Sequence, residues 1–173
     1  MADTFFIADT HFFHELVITY ENRPFATAEE MNQHMIQNWN RVVKRLDKVY
    51  VLGDFSFHPK EHIKALCEAL NGYKILIMGN HDTVSHRFYL ENGFNEVSKY
   101  PVLLDNTFLL SHRPIPMTED SPFVNVFGHV HGAASYPDYT EKSICVCVER
   151  PHMQYTPIRY EKLKELVMES KKE

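Results

Sequence analysis

Short apolar runs alternate with helix-period patterns through the first half of the chain, and that alternation sets the predicted elements. The run "TFFIAD" (4–9) reads as a strand that ends in a carboxylate. Met31, Met35, Trp39, Val42 and Leu46 then recur at three- and four-residue steps, the spacing of one buried helix face. Thr27 precedes that face, with Glu30 three residues on. In such a capping box, hydroxyl and carboxylate each satisfy the other's backbone donor. "KVYVLGD" (48–54) is a second strand ending in Asp. Pro59 opens the next helix, whose apolar side is Ile63, Leu66, Cys67 and Leu70 and which Gly72 stops. "YKILIMGNHD" (73–82) is a third strand with its exit loop, followed by a predicted helix over 84–92 that ends at Gly93. The character then changes. "TFLLSH", "FVNVFGH" and "SICVCVE" are strand-like runs joined by loops containing Pro, Asp and Tyr, before a last amphipathic helix over 160–169 with Leu163, Leu166 and Val167 on its apolar side.

The first half therefore reads βαβαβα and the second mostly β. An α/β domain spanning 1–173, with two packed sheets and outer helices, buries all these faces together. Composition agrees: 173 residues, 44% apolar and 24% charged, suit one core. The net charge of −5 argues against stable DNA binding, which needs a basic footprint. It leaves small anionic substrates open, because bound cations invert the local field. No run approaches the ~18 apolar residues of a membrane span, and "MADTFFIADT" lacks a signal-peptide pattern, so the expectation is a cytoplasmic protein without membrane contact. Three cysteines, Cys67, Cys145 and Cys147, suggest buried thiols rather than a disulfide framework.

Five polar clusters each follow an apolar run: "ADTH" (Asp9, His11), "GD" (Asp54), "GNHD" (Asn80, His81), "SH" (His112) and "GHVH" (His129, His131). Any one of them is explained by turn chemistry or a helix cap. Five at strand ends are not, because ligands of open α/β sheets gather outside the carboxyl ends of the strands. Two Asp, four His and one Asn form a mixed N/O donor set without thiolate, which suits divalent Mn, Fe, Zn, Co or Ni rather than calcium or a structural zinc. Seven donors exceed the needs of one ion with an open position and suit two ions sharing a carboxylate.

Asp9-x-His11, Gly53-Asp54, Gly79-Asn80-His81-Asp82, His112 and Gly128-His129-Val130-His131 resemble the motif set of the calcineurin-like metallophosphoesterases, in that family's order. The resemblance implies an αββα sandwich of two facing mixed β-sheets flanked by helices. It implies two divalent metal ions, manganese foremost. Asp9, His11 and His131 would hold one ion, and Asn80, His112 and His129 the other, with Asp54 bridging them. It implies hydrolysis of a phosphodiester, or of a phosphomonoester, by a hydroxide held between the ions, with His81 as the catalytic histidine at the phosphate. Asp82 either orients His81 or caps the following helix, with the cap favoured. Gly128 and Gly132 are expected to let the backbone approach the ions.

Substrate-contact candidates are His14 (in "DTHFFH"), Arg23 (in "ENRPF") and Arg113 (in "SHRP"), each with a surface role as the alternative. Arginine forks suit bidentate phosphate contacts. Strand alternation would nonetheless point Arg113 away from His112. Phe55 and Phe57 offer an apolar wall for a base, with core packing as the alternative. His34, His62, His86 and His152 read as surface residues. The expected substrate is a small phosphorylated molecule, a nucleotide or cyclic nucleotide foremost, and homo-oligomerisation is left open. The competing class is a non-catalytic scaffold of the same fold. An amide or ester hydrolase fits less well, because no H-E-x-x-H or comparable segment is present.

Overall fold

The computed structural model describes residues 2–171. The three predicted strands of the first half form as β1 (Thr4–Ile7), β2 (Lys48–Val51) and β3 (Tyr73–Ile77). Between them lie α1 (Glu15–Tyr20), α2 (Ala28–Val42) and α3 (Pro59–Ala69). The Thr27 hydroxyl accepts the Glu30 N–H, so that cap forms as read. Met31, Met35 and Trp39 are buried, but α2 stops at Val42 and Leu46 lies outside it, 72% exposed. The expectation that Leu46 belongs to the apolar face is thus corrected: the chain turns extended at Val43 before the register reaches it.

After β3 come α4 (His86–Glu91), β4 (Glu96–Ser98) and β5 (Val102–Leu104). The helix expected over 84–92 is shorter at both ends. Ser85 is its N-cap, and its hydroxyl accepts the Phe88 N–H. Then follow β6 (Phe108–Ser111), β7 (Val124–Phe127), β8 (Ser143–Cys145), β9 (Ile158–Arg159) and α5 (Tyr160–Ser170). The short elements α1, β4, β5 and β9 carry too few residues for a periodicity signal and were not legible in the pattern.

Two mixed sheets result. One has the order β4-β3-β2-β1-β9, parallel except for β9; the other is β5-β6-β7-β8, parallel except for β5. Apolar side chains of both sheets and of α2, α3 and α5 join one core cluster, and Tyr160 at the head of α5 meets both Phe6 of β1 and Phe108 of β6. This is the α/β sandwich of two sheets flanked by helices that the sequence predicts.

The parallel register brings the carboxyl ends of β1, β2 and β3 to one edge and those of β6, β7 and β8 to another. The sheets are laced together at these edges. The Ala8 N–H donates to the Val146 carbonyl at 2.9 Å, and the Val148 N–H to the Ala8 carbonyl at 3.2 Å. Loops leaving six strands therefore meet at one seam. Among the described residues no helix is long and apolar enough to cross a membrane.

Candidate metal centre

Backbone geometry at the seam is unusual. Asp9, His11, Asp54, His129 and His131 all have positive φ, between 47° and 71°. Left-handed backbone costs a residue with a side chain roughly 1–2 kcal/mol, so five such positions persist only where the surroundings impose them. The surroundings are visible. Asp9 N–H donates to the Gly53 carbonyl, His11 N–H to the Asp54 carbonyl, and Gly128 N–H to the His112 carbonyl. His129 N–H donates to Asp9 Oδ2 at 2.7 Å and His81 N–H to Asp54 Oδ1 at 2.8 Å. A Cβ on Gly128 would fall on the Asp9 carboxylate, so only glycine lets this loop close down. Gly132 is different: a Cβ there meets nothing within 4 Å, and the expectation that it brings backbone to the site is not met.

Two groups of donors result. Asp9, His11 and His131 offer atoms within 4.8 Å of one another, and so do Asp54, His112 and His129. The two histidines of "GHVH" thus belong to different groups. Asp54 Oδ2 faces both, at 3.7 Å from His11 Nε2 and 3.5 Å from His112 Nε2. Asn80 Oδ1 joins the second group, 3.0 Å from His112 Nε2. These N and O donors fit divalent cations. Two further observations fit: Asp9 Oδ1 and His11 Nε2 are buried polar atoms without a hydrogen-bond partner, an arrangement that costs free energy unless something else engages them. In the bare chain, burial drives both groups toward their neutral forms. Burial and the nearby carboxylates of Asp54 and Glu149 raise the Asp9 pKa well above its usual range, against the attraction of His131. Burial and the positive charge of His131 and Arg23 lower His11 to about 2. A cation between them reverses the first effect and exploits the second.

One residue at the centre escaped the sequence reading. Glu149 accepts a hydrogen bond from His131 Nδ1 at 3.0 Å and from Arg23 Nε at 2.8 Å. A carboxylate behind a ligand histidine fixes the tautomer and leaves Nε2 facing forward. Burial alone would raise the Glu149 pKa, but the His131 hydrogen bond and the Arg23 charge hold it below the usual range. The same contact outweighs burial at His131 and lifts it to about 9. Arg23 is itself buried, and donates to the Thr10 and Asp9 carbonyls besides Glu149. The expectation that Arg23 meets the substrate phosphate is corrected: its donors are spent behind Asp9. Only "VCVER", an apolar run ending in a charged pair, hinted at Glu149.

Asp82 also departs from its expected role. It does not cap α4. It is buried and accepts N–H donors from Asp54 (2.8 Å), Phe55 (3.2 Å) and Gly79 (2.8 Å), tying the "GD" loop to the "GNHD" loop. His81 stays exposed, its ring 5.5 Å from that of His11. His14 lies 5.5 Å from His11, ring to ring, and stacks on Phe57 at 4.4 Å. Phe55 is fully buried in the core, so only Phe57 remains at the rim. Arg113 is exposed and reaches the second group, 3.0 Å from His129 Nε2 and 3.4 Å from Asn80 Oδ1. The alternation argument fails there because the chain has already left β6 at Ser111. His34 and His86 are exposed, His62 lies half-buried on Phe13, and His152 is likewise half-buried, bonded through Nε2 to the Cys145 carbonyl. Cys145 and Cys147 lie side by side, and the Cys147 thiol points at Asp9 Oδ2, 3.3 Å away.

Known proteins are similar to this chain. The uncharacterized protein MJ1445 of Methanocaldococcus jannaschii is 38% identical over 135 residues, which are 72% of this chain and 77% of that protein. The Gene 66 protein of Mycobacterium phage L5 is 34% identical over 88 residues, 47% of this chain and 41% of its own. The crystal structure of AQ665 from Aquifex aeolicus, a protein of unknown function, matches with a TM-score of 0.73 at 30% identity, over 96% of this chain and 100% of that one. Residues 3–155 match the family described as calcineurin-like phosphoesterase, and the chain belongs to that family.

Proposed function

We propose that this protein is a phosphoesterase working with two divalent cations, and that it hydrolyses phosphodiester bonds of small nucleotides, with phosphomonoesters as a second substrate type. The observation that carries the reading is the position of Asp54 Oδ2 between His11 Nε2 and His112 Nε2, one from each donor group. One group is then Asp9, His11 and His131, the other Asn80, His112 and His129, and Asp54 is shared. These residues would hold two cations, which would supply Lewis acidity toward a phosphoryl oxygen and toward a water nucleophile at neutral pH.

The chain's own residues do the rest. Glu149 and Arg23 hold His131 and the Asp9 backbone in place. Asp82 holds the loops of Asp54 and Asn80 at a fixed separation. His81, exposed beside His11, stands where it can donate a proton to the departing ester oxygen. Arg113 presents an exposed guanidinium at the second group and is placed to meet a phosphoryl oxygen with charge-assisted hydrogen bonds. His14 and Phe57 form the rim on the opposite side. The native metal we take to be manganese, which the resemblance to the family implies and the N/O donor set accommodates.

The test is hydrolysis of bis-p-nitrophenyl phosphate by the chelated protein, before and after Mn²⁺ is supplied, on wild type and His81→Ala. Turnover that appears with Mn²⁺ and falls by two orders of magnitude or more in the variant is expected, the scale of one general acid. A metal-loaded wild type without turnover on mono- and diesters would leave the scaffold reading instead.

A further inference from the structure

A cleft of 340 Å³ opens directly beside the second donor group. Asn80, His112 and Arg113 line it together with exposed Lys99 and Tyr100, from the link between β4 and β5. Its volume lies within the range of small-ligand sites. Both walls are built rather than loose. On one side the Ser98 hydroxyl donates to the Tyr100 carbonyl at 2.7 Å and accepts the Tyr100 N–H at 3.1 Å, pinning the turn that carries Lys99 and Tyr100. On the other, buried Asn125 donates to Ser111 Oγ and accepts the Ile115 N–H at 2.7 Å, while Ser111 Oγ donates to the Arg113 carbonyl at 2.7 Å. The segment bearing Arg113 is thereby fixed to the sheet.

The chemistry of the lining is specific. Ile77, Met78 and Ile115 supply an apolar surface. Tyr100 is 75% exposed, an open aromatic at the mouth, whereas the rim phenylalanine Phe57 is already stacked on His14. Lys99 and Arg113 supply two positive charges on a chain whose net charge is −5. An apolar floor, a free aromatic face and two cations together suit a flat heteroaromatic group attached to an anion.

We infer that this cleft is the subsite for the part of the substrate beyond the scissile phosphate, and that it takes a nucleobase, with Tyr100 as the stacking platform and Lys99 engaging a second phosphate. The inference rests on the phosphoesterase reading above and adds the substrate class: nucleotides with more than one phosphate bind better than simple phosphate esters. Base-on-aromatic stacking of this kind accounts for about a tenfold change in affinity or more.

The experiment is calorimetric binding to the Mn²⁺-loaded protein of inorganic phosphate, ribose 5-phosphate, AMP and ADP. Wild type should bind AMP about tenfold more tightly than ribose 5-phosphate, and ADP more tightly again. Tyr100→Ala should erase the AMP advantage, with Tyr100→Phe keeping it, and Lys99→Ala should erase the ADP advantage. Phosphate affinity in each variant reports whether the centre is intact, and thermal melting reports folding. Equal affinities for AMP and ribose 5-phosphate in wild type, or an AMP advantage that survives Tyr100→Ala, overturn the subsite while leaving the phosphoesterase reading in place. Absence of Mn²⁺-dependent turnover on any ester would instead strike the phosphoesterase reading, whatever the nucleotide affinities.

Discussion

The two donor groups of the centre are built from the same residue types but in contrasting surroundings. Asp9 and His11 are buried, and behind the first group stand Arg23, Glu149 and the Cys147 thiol, all committed to it. In the second group Asp54 and His112 are buried as well, and the opening lies on one side only. Asn80 is exposed, His129 is half-buried, and the neighbour of His129 Nε2 is the exposed Arg113. Burial and the positive neighbours His112 and Arg113 lower the His129 pKa, whereas the Glu149 hydrogen bond overcomes burial to raise that of His131. The difference teaches where preorganisation lies. A site whose ligands are locked by second contacts loses little entropy on binding a cation, and a site open to solvent is the one a substrate can reach. The first group should therefore hold its cation more tightly, and the second should be where substrate and ion meet.

Four outcomes would break or sharpen that contrast. The largest effect is expected at the shared carboxylate: Asp54→Asn should cut diesterase turnover on the order of 10³-fold and lower the bound metal below two ions per chain, read by elemental analysis. Retention of both ions in this variant would remove Asp54 from its shared position. Next, Glu149→Ala should weaken the tighter metal affinity by about 10–100-fold and leave the weaker one nearly unchanged, measured by competition with a chelator. A change confined to the weaker step would reverse the assignment of the two sites. Third, Arg113→Ala should lower kcat/KM by roughly tenfold, the loss of one charge-assisted hydrogen bond to phosphate, with melting temperature preserved. The smallest effect separates two glycines of one loop. Gly132→Ala should shift stability by about 0.5 kcal/mol or less, as at an open surface position, whereas Gly128→Ala, aimed at the Asp9 carboxylate, should destabilise the protein and impair metal binding. Equal behaviour of the two in thermal melts would show that the loop's close approach to Asp9 is not needed.

Legibility in the sequence followed the length of the signal. The face of α2 and the Thr27 cap were readable because a helix of 15 residues repeats its period several times. Strands β4 and β9, of 3 and 2 residues, carry no period at all and exist through pairing with β3 and β1. Within the site, donor types and their strand-end positions were readable because they fall in short local motifs. Arg23 was misread because its sequence context, a loop arginine before proline, is the same for a buried strut as for a phosphate clamp. Its partner Glu149 lies 126 residues away, and only the folded chain brings the two together. Asp82 was misread for a related reason: a helix begins close by, but the N–H groups that need a carboxylate belong to Asp54, Phe55 and Gly79.

What the chain determined by itself is the inventory: strands that end in Asp, His and Asn, in an order that marks the family, with apolar faces sufficient to bury one core. Tertiary structure decided the allocation. Which histidine of "GHVH" joins which group depends on left-handed backbone at His129 and His131, which the neighbouring loops impose. Which charged residues stand behind the centre and which stand in front of it depends on two sheets meeting at Ala8 and Val146. Local preferences can select a residue's conformation, but only packing sets the distance between groups far apart along the chain, and the chemistry of this site lies in those distances.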